Sequence, residues 1–492
     1  MRRRAQCPQA SRIFWGFFGG TLALLLLVLF TRTTGIHGDE NNYLHWAAQA
    51  RLGDSRASGK PPLFYLLNYA GFHTLGVVLG PLRALSPYFI YVVLCSASLA
   101  WFTHRLSLSP RRRLSLWALL LFSPLFIFNS TQVMMETPML ALLTILYGLV
   151  AQSEDSLWAR WAEASCAIVA ILLKESAIPA VAAIAVASLF HNRRSGGRLV
   201  LWIAVSVFLA WRVRVLLHVP PQGYGGMGRW SAWVERVPLL PTYLWLWIFL
   251  VGPLVIVAAI VGWLQFAAGP SRRNMPLGSR EERRDTFPLI CGLCSLSFTL
   301  GVCLTSNQAF ARYAYPTIWI GTLAAGTWVI RWSRPTLLPV LILSVLFPTL
   351  NMWIPLPQTF SLWPSLITHE AIHSGLTVMF GVPVHGWLLR TSARTEALCV
   401  LVPDGEQRRH VRAVRQYLSW AIPGARVFDE TAMPAFHACE GRKAMVKRTH
   451  RSGPADCSCP ESYSFRVKVC AIQPMASSVD RAGDALNVYC LP

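Results

Sequence analysis

A segment between His37 and Leu67, HGDENNYLHWAAQARLGDSRASGKPPLFYLL, carries the residues most suited to chemistry. Asp39 and Glu40 are adjacent acids, and a carboxylate can act as a general base toward a hydroxyl group. Lys60 stands before two prolines, which stiffen the backbone and favour an extended conformation of the lysine. Acids beside a membrane are costly unless they have a role. The segment therefore indicates chemistry on a lipid-linked phosphate at a membrane surface.

Further candidate residues lie much later in the chain. Glu136 belongs to the segment NSTQVMMETP and comes shortly before Pro138, which suits the first turn of a helix. Lys174 interrupts two apolar runs, and Arg312-Tyr313 precedes another. Glu136 would position a substrate or a metal ion, whereas Lys174 and Arg312 would contact a phosphate group.

Each of these residues also has a plainer interpretation. The acid pair of the first loop could be solvated, and Lys60 could extend its ammonium group from the interface into water. Glu136 could serve only to favour the dipole of its helix. Lys174 could pair with the adjacent Glu175 at a turn, and the arginine–tyrosine pair could anchor a helix end. The residue types alone leave both interpretations open.

The composition is that of an integral membrane protein. The chain has 492 residues, of which 54% are hydrophobic and 14% charged, and its mean hydropathy is +0.42. Soluble domains carry about 25% charged residues. The formal net charge of +22 comes from basic clusters in short loops between apolar runs, a pattern typical of cytoplasmic loops. No motif that reads a nucleic-acid groove is present, so we exclude nucleic acid as a partner.

About eleven apolar stretches are long enough to cross a bilayer, which takes about 17–25 residues and fewer inside a bundle. They fall at 13–31, 86–103, 114–130, 138–152, 161–173, 176–190, 199–217, 239–265, 287–305, 313–330 and 335–351. The first follows a basic start and lacks a small-residue cleavage site, which predicts an uncleaved span. A further stretch at 63–80 is ambiguous.

The distribution of basic residues decides how 63–80 is interpreted. If this stretch lies in the interface without crossing, all the basic clusters fall on the same side as the N-terminal arginines. Counting it as a span would invert every later loop. We therefore predict an interfacial helix at 63–80 and a first outer loop at 32–85. All the candidate site residues then lie on the outer face of a membrane domain that covers residues 1–351.

The chain after residue 351 has a different character. Residues 352–395 are predicted to be a linker rich in Pro and Trp, with a membrane-hugging helix at 373–389 as an alternative. Residues 396–492 contain strand-like runs (ALCVLV, FRVKVCAI and ALNVYCL) and a helical pattern at 406–421. We predict a small soluble α/β domain outside the cytoplasm, after an α-helical polytopic membrane domain.

Six of the 12 cysteines belong to this last region: Cys399, Cys439, Cys457, Cys459, Cys470 and Cys490. An even number of cysteines in a small extracytoplasmic domain favours disulfides formed in an oxidising compartment. Free thiols, or a zinc site that includes the two cysteines of Cys457-Ser-Cys459, are the alternatives. The sequence does not determine the pairing.

The order of the motifs resembles the GT-C superfamily of membrane glycosyltransferases over about residues 10–350. The branch of aminoarabinose transferases and protein O-mannosyltransferase-like enzymes is the most similar. The resemblance rests on Asp39-Glu40-x-x-Tyr43, Lys60-Pro61-Pro62-Leu63-x-Tyr65, Glu136 before Thr137-Pro138, Lys174, and Arg312-Tyr313-x-x-Pro316. The acid pair followed by the Lys-Pro-Pro-Leu motif is its specific part.

The resemblance implies an inverting transfer of a sugar from a polyprenyl-phosphate donor to a hydroxyl group of a glycolipid, a glycan or a protein. The implied roles are catalysis for Asp39, Glu40 and Glu136, donor phosphate binding for Lys60, Arg312 and Lys174, and sugar or acceptor binding for Tyr43, Tyr65 and Tyr313. No cofactor is implied, and the use of a divalent metal ion is left open. Membrane lipids are the remaining expected partners.

The chain departs from the family pattern in several places. The interval between the acid pair and Lys60 is shorter than in aminoarabinose transferases. Leu66 stands where a Trp often follows the motif tyrosine, and Glu136 stands where the family often has Asp. The region after residue 396 carries no signature of the family. These departures leave the sugar and the acceptor open.

Two other functions remain open at this point. A flippase of lipid-linked sugars would need a polar path through the bilayer, for which Arg212 and Arg214 are the available residues. A catalytically inactive scaffold would tolerate changes at Asp39. The Gly- and Trp-rich loop 218–238 is expected to be either a lid over the substrate or a plain connector. We expect the protein in a bacterial inner membrane.

Overall fold

The computed structural model describes residues 7–31, 38–49, 62–79, 85–152, 156–216, 280–305, 314–332, 398–402, 415, 425–440, 442–449, 476–479 and 485–491. The chain divides into two compact units. The first unit comprises residues 1–26, 59–64 and 91–350. The second unit comprises residues 27–58, 65–90 and 351–492.

The described membrane region is helical. Three of its helices are long and apolar enough to cross a bilayer by length and composition, at Arg12–Leu29, Ser86–Arg105 and Arg193–Arg212. Shorter apolar helices accompany them, at Leu63–Leu79, Glu136–Gln152, Ala177–His191 and Thr286–Val302. These helices identify the chain as an integral membrane protein.

In chain order the helices before the sheet are α1 (Cys7–Thr31), α2 (Gly38–Gln49), α3 (Pro62–Ala70), α4 (Gly76–Leu79), α5 (Ser86–Arg105), α6 (Pro110–Leu121), α7 (Pro124–Ser130), α8 (Glu136–Gln152), α9 (Leu157–Leu173), α10 (Ala177–His191), α11 (Arg193–Leu216), α12 (Arg280–Thr305) and α13 (Tyr315–Trp332). A π-helical turn, Gly71–Leu75, joins α3 to α4.

Helices overlie the predicted apolar stretches wherever the structure describes them. The stretch 114–130 forms two helices, α6 and α7, because Pro124 occupies the first position of a new helix. The stretches 239–265 and 335–351 lie outside the described residues. The total of eleven spans, the sidedness of the loops and the linker at 352–395 therefore stay predictions.

The ambiguous stretch at 63–80 is helical from Pro62 to Leu79. Leu66, Val77 and Val78 are exposed, whereas the side of Phe64, Phe72 and Gly76 is buried. An exposed apolar face suits contact with lipid, whether a helix crosses the bilayer or lies in the interface. The interfacial placement stays a prediction.

The first helix contacts α6 through Trp117. The indole Nε1 of Trp117 on α6 donates a hydrogen bond to the Thr21 hydroxyl at 2.9 Å. The Phe17 ring stacks on the same indole with centroids 5.3 Å apart. A Cβ atom at Gly20 would approach the Trp117 ring to 3.0 Å, so a larger residue there would require the ring to shift by a few tenths of an ångström.

The centre of the first unit is held by buried hydroxyl groups as well as by apolar packing. Trp319 on α13 is fully buried and donates from Nε1 to the Thr144 hydroxyl on α8 at 2.8 Å. Thr299 on α12 donates to Thr317 on α13, also at 2.8 Å. Polar groups in an apolar interior are costly unless they are hydrogen-bonded, so these contacts specify how α8, α12 and α13 align.

The C-terminal region forms a mixed five-stranded sheet. Its elements are β1 (Leu398–Val402), β2 (Arg426–Asp429), a short α14 (Met433–His437), β3 (Arg442–Thr449), β4 (Ala476–Val479) and β5 (Ala485–Leu491). The strand order is β2-β1-β3-β5-β4, with β1 parallel to β2 and β3, and β5 antiparallel to β3 and β4. The sequence LCVLV of β1 is buried throughout, as expected for a central parallel strand.

A disulfide joins Cys399 in β1 to Cys439, which follows α14. Phe436 is buried beside this link and packs against Phe428 of β2 with ring centroids 5.6 Å apart. Cys457, Cys459 and Cys470 lie outside the described residues, so the rest of the cysteine pairing stays a prediction. The bond fixes the end of α14 against β1, an interior strand of the sheet.

We expect the double substitution of Cys399 and Cys439 by serine to weaken the sheet. The loop between them spans 40 residues, and a cross-link of that length contributes about 3–4 kcal/mol by restricting the unfolded chain. Proteolysis of the full-length chain should cut the double variant faster after residue 398, and reducing agent should narrow the difference between the wild type and that variant. Cys294→Ser removes a free thiol and is the matched control. Peptide mapping that links Cys399 to another cysteine would contradict the assignment.

Candidate functional site

The residues of the first predicted motif lie on α2. The helix begins at Gly38, so Asp39 and Glu40 occupy its first turn, where acids favour the positive end of the helix dipole. Tyr43 is buried one turn later, and its ring lies 6.3 Å from that of Trp46. The short helix thus places the acid pair and an aromatic pair on successive turns.

The Lys-Pro-Pro motif leads directly into α3, which begins at Pro62. Tyr65 on this helix is buried, and its ring belongs to a series in which Tyr65 stacks with Tyr69 and Tyr69 stacks with His73. The last two rings are 4.1 Å apart, and His73 lies within the π-helical turn. Such turns are frequent at functional sites. Lys60, Arg312, Tyr313 and the loop 218–238 lie outside the described residues.

Glu136 and Lys174 are brought together in a buried ion pair. The Lys174 ammonium group donates to Oε1 of Glu136, and both side chains are more than nine-tenths buried. Glu136 is the first residue of α8, and Lys174 directly follows α9. Lys174 has an extended backbone with φ −166° and ψ 134°, which ends the helix there. The partner of Lys174 is therefore an acid on another helix, rather than the adjacent Glu175 alone.

Both charges lie at helix ends that stabilise them. The Glu136 carboxylate is at the N-terminus of α8, and the Lys174 ammonium group is at the C-terminus of α9. A helix dipole favours an anion at its N-terminus and a cation at its C-terminus. Dipole and ion pair therefore act together to offset the cost of removing two charges from water.

A network of buried polar groups fixes the turn before Glu136. The Thr137 hydroxyl lies 2.7 Å from the Asn129 carbonyl oxygen and 2.9 Å from that of Gln132. The Cys95 thiol on α5 donates to the Thr137 carbonyl oxygen at 3.8 Å. These contacts tie α7, α8 and α5 together around the first turn of α8. The carboxylate of Glu136 is consequently presented on a rigid backbone.

The ion pair lies where two short helices, α8 and α10, begin and where a third, α9, ends. α8 and α9 have 17 residues each and α10 has 15, which correspond to about 25 Å and 22 Å. The hydrocarbon core of a bilayer is about 30 Å thick. The ion pair joins Glu136 to Lys174, and the backbone N–H of Ala177 donates to the Lys174 carbonyl oxygen, so these three residues lie at a common end.

The side chains do not indicate a metal centre. Among the residues that the structure describes, no group of three or more His, Cys, Asp or Glu could hold a metal ion. The arrangement at Glu136 and Lys174 can instead keep a carboxylate ionised in an apolar environment.

One buried cluster was missed by the sequence interpretation. Glu163 on α9 is buried, and its carboxylate accepts hydrogen bonds from Ser195 and Arg198 on α11. Arg198 follows Arg193 and Arg194 in one of the basic clusters between apolar runs, which the sequence pattern assigns to a cytoplasmic loop. A single acid within an apolar helix is itself a signal for a partner, and that signal could have identified Glu163.

We expect single substitutions of the ion pair to be more damaging than the double substitution. Glu136→Gln or Lys174→Met leaves one buried charge without its counter-ion, which costs about 3–5 kcal/mol, whereas the neutral pair removes both charges. Thermal unfolding of the detergent-purified chain should show a large drop in unfolding temperature for each single variant. The double variant should recover part of that drop. The exchanged pair Glu136→Lys with Lys174→Glu should recover less, because it opposes both helix dipoles. Additive losses would contradict this account.

No protein-family model matches the chain, and no curated protein is significantly similar to it. The crystal structure of ArnT from Cupriavidus metallidurans bound to undecaprenyl phosphate is a solved structure with some similarity. It shares 13% sequence identity over 96% of this chain and 98% of that chain, with a TM-score of 0.44. A likeness of this size is too weak to assign a fold or a function.

Proposed function

We propose that the chain is a GT-C-like glycosyltransferase that moves a sugar from a polyprenyl-phosphate donor to an acceptor hydroxyl group. The observation that carries the proposal is the acid pair at the first turn of α2, directly after α1, followed by Lys60 before the start of α3. A base and a phosphate ligand are thus each associated with the beginning of a short helix next to a membrane-spanning helix. Helix N-termini favour anions, including phosphates.

The proposed reaction is a displacement at the anomeric carbon of the sugar. The acceptor oxygen forms the new bond while its proton passes to Asp39, and the bond to the phosphate oxygen breaks. The polyprenyl phosphate leaves with additional negative charge on its oxygen. Lys60 and Arg312 would stabilise that charge, and Glu40 would orient the acceptor. Attack from the face opposite the leaving group inverts the anomeric configuration.

Glu136 and Lys174 take a supporting role in this proposal. Lys174 would bind the donor phosphate only by exchanging it for Glu136, because the two side chains are paired and buried. Their geometry supports a site in which Lys174 keeps Glu136 ionised as the second acid. The buried Tyr43 and Tyr65 would contact sugar or acceptor after a local rearrangement.

The remaining assignments follow from this reaction. The acceptor is a hydroxyl group of a glycolipid, a glycan or a protein, and the site and the C-terminal sheet lie on the outer face of a bacterial inner membrane. A lipid-anchored donor can enter such a site laterally from the bilayer.

A flippase fits the described helices less well. Between Glu163 and Lys174, α9 has the sequence ASCAIVAILL and carries no charged residue. Arg212 lies exposed on α11. A path for a phosphorylated sugar through the bilayer requires polar groups along its length. The two charged clusters on α9 are instead confined to its ends.

We expect Asp39→Asn to lower sugar transfer by about 100-fold or more, because general-base catalysis contributes about that factor. Donor binding should be retained in this variant, while Lys60→Ala should weaken donor binding. Transfer of labelled sugar from polyprenyl-phosphate donors is measured in membranes that contain the full-length chain. Arg212→Gln, which lies outside the proposed machinery, is the control and should match the wild type. Unchanged transfer in both site variants would move the assignment to a flippase or a scaffold.

A further inference from the structure

The N-terminal ends of α9 and α11 are held side by side. Oε1 of Glu163 lies 3.3 Å from the Ser195 hydroxyl. Oε2 accepts from Nη2 of Arg198 at 2.9 Å and from Nε at 3.3 Å. Glu163 lies in the second turn of α9, and Ser195 and Arg198 lie in the first two turns of α11. The two helices therefore start at the same end of the bundle.

The turn before α11 is closely packed against α10. The Asn192 side-chain oxygen accepts from the backbone N–H of Arg194 at 3.2 Å, which satisfies a group at the start of α11. A Cβ atom at Gly196 would come within 2.7 Å of the Leu189 backbone nitrogen. A residue larger than glycine would force the two helices apart. Arg193 and Arg194 are consequently held at the same end as the start of α9.

Exposed aromatic and basic side chains surround this end. Leu157, Trp158 and Trp161 are 70%, 74% and 61% exposed on the first turns of α9. Arg160 on α9 and Arg193 and Arg194 on α11 are also exposed. Helical spacing puts Arg160 one turn before Glu163 and Arg194 one turn before Arg198, so both lie on the facing sides of α9 and α11. We call these six residues the basic–aromatic collar.

The collar lies at the level expected for a membrane interface. The apolar segment Arg193–Arg212 of α11 has 20 residues, which span about 30 Å, the thickness of the hydrocarbon core. Trp211 and Arg212 form a cation–π contact at its other end, with 5.8 Å from the guanidinium carbon to the ring centroid. Arginine lies at both ends of α11, with two tryptophans of α9 beside it at one end and Trp211 at the other, a distribution typical of the two bilayer surfaces.

We propose that the collar binds the headgroup of an anionic phospholipid. The planar guanidinium groups of Arg193 and Arg194 match a phosphate diester, and the beginning of α11 adds its positive dipole. Trp158 and Trp161 suit the glycerol region, and the exposed apolar face of α11 continues along the acyl chains. A zwitterionic lipid carries the same phosphate with a compensating cation, so the net positive charge of the collar favours the anionic lipid.

We expect Arg193 and Arg194 to contribute most of the charge that binds the lipid headgroup. Arg198 is compensated by Glu163 within the bundle. Two acids, Glu154 and Asp155, precede α9 in the sequence and lie outside the described residues. The start of α11 brings two adjacent arginines and no acid. This binding site is independent of the proposed transferase reaction.

The test is competitive lipid binding to the full-length chain purified in detergent. Phosphatidylglycerol and phosphatidylcholine are added in equal amounts, and the bound lipids are counted by native mass spectrometry. We expect the wild type to prefer phosphatidylglycerol and the double variant R193Q/R194Q to lose about 30-fold in affinity for it, given the usual contribution of two interfacial arginines. W158L/W161L should weaken the binding of both lipids.

The matched control is R111Q/R112Q, which removes two exposed arginines from the beginning of α6 without an exposed tryptophan pair beside them. It should keep the preference of the wild type within about twofold, if local geometry rather than net charge governs binding. Retention of the lipid by R193Q/R194Q, or equal loss in the control, would overturn the proposal. The proposal would also be overturned if R193Q/R194Q changed the number of protein chains in each detergent particle but kept its lipid. The collar would then join two chains.

Discussion

The buried charges of Glu136 and Lys174 determine where the central helices of the membrane region end. Neither charge can be left alone in an apolar environment, and the two lie on different helices. The start of α8 must therefore meet the end of α9, and the backbone must leave the helix at Lys174 to allow the contact. The hydrogen-bonded turn around Thr137 then follows from the need to satisfy the backbone groups near the carboxylate.

A second buried acid, Glu163, also joins two helices, near the opposite end of α9. Glu163 fixes α11 through Ser195 and Arg198, so α9 is held by a charged contact near each of its ends. The two ion pairs differ in how far their basic side chains are exposed to solvent. Lys174 is buried, whereas Arg198 is partly exposed toward the helix ends. The enclosed pair is shielded from water, whereas the more open one lies near the surface of the helix ends.

Most of the helical architecture could be predicted from the sequence, because long apolar runs leave few alternatives in a membrane. Glu136 and Lys174 were both recognised as candidates, but their mutual contact was not. They are 38 residues apart, and each had a sufficient local explanation in a helix dipole or a turn. The pairing of Cys399 with Cys439 likewise depends on tertiary structure, since six cysteines allow many connectivities. Tyr43 and Tyr65, which the sequence resemblance assigns to sugar or acceptor binding, are both buried in this structure, and their burial depends on tertiary packing.

The shortness of α8, α9 and α10 has a consequence for a lipid-anchored molecule that approaches their common end. These helices are about 22–25 Å long, which is shorter than a hydrocarbon layer of about 30 Å. Most side chains of α8 and α10 are buried within the bundle, whereas the exposed helix α11 is long enough to cross the full layer. A lipid phosphate that approached Glu136 and Lys174 would then have to leave the level of its neighbours, and the cost of that step would limit how often the pair is reached.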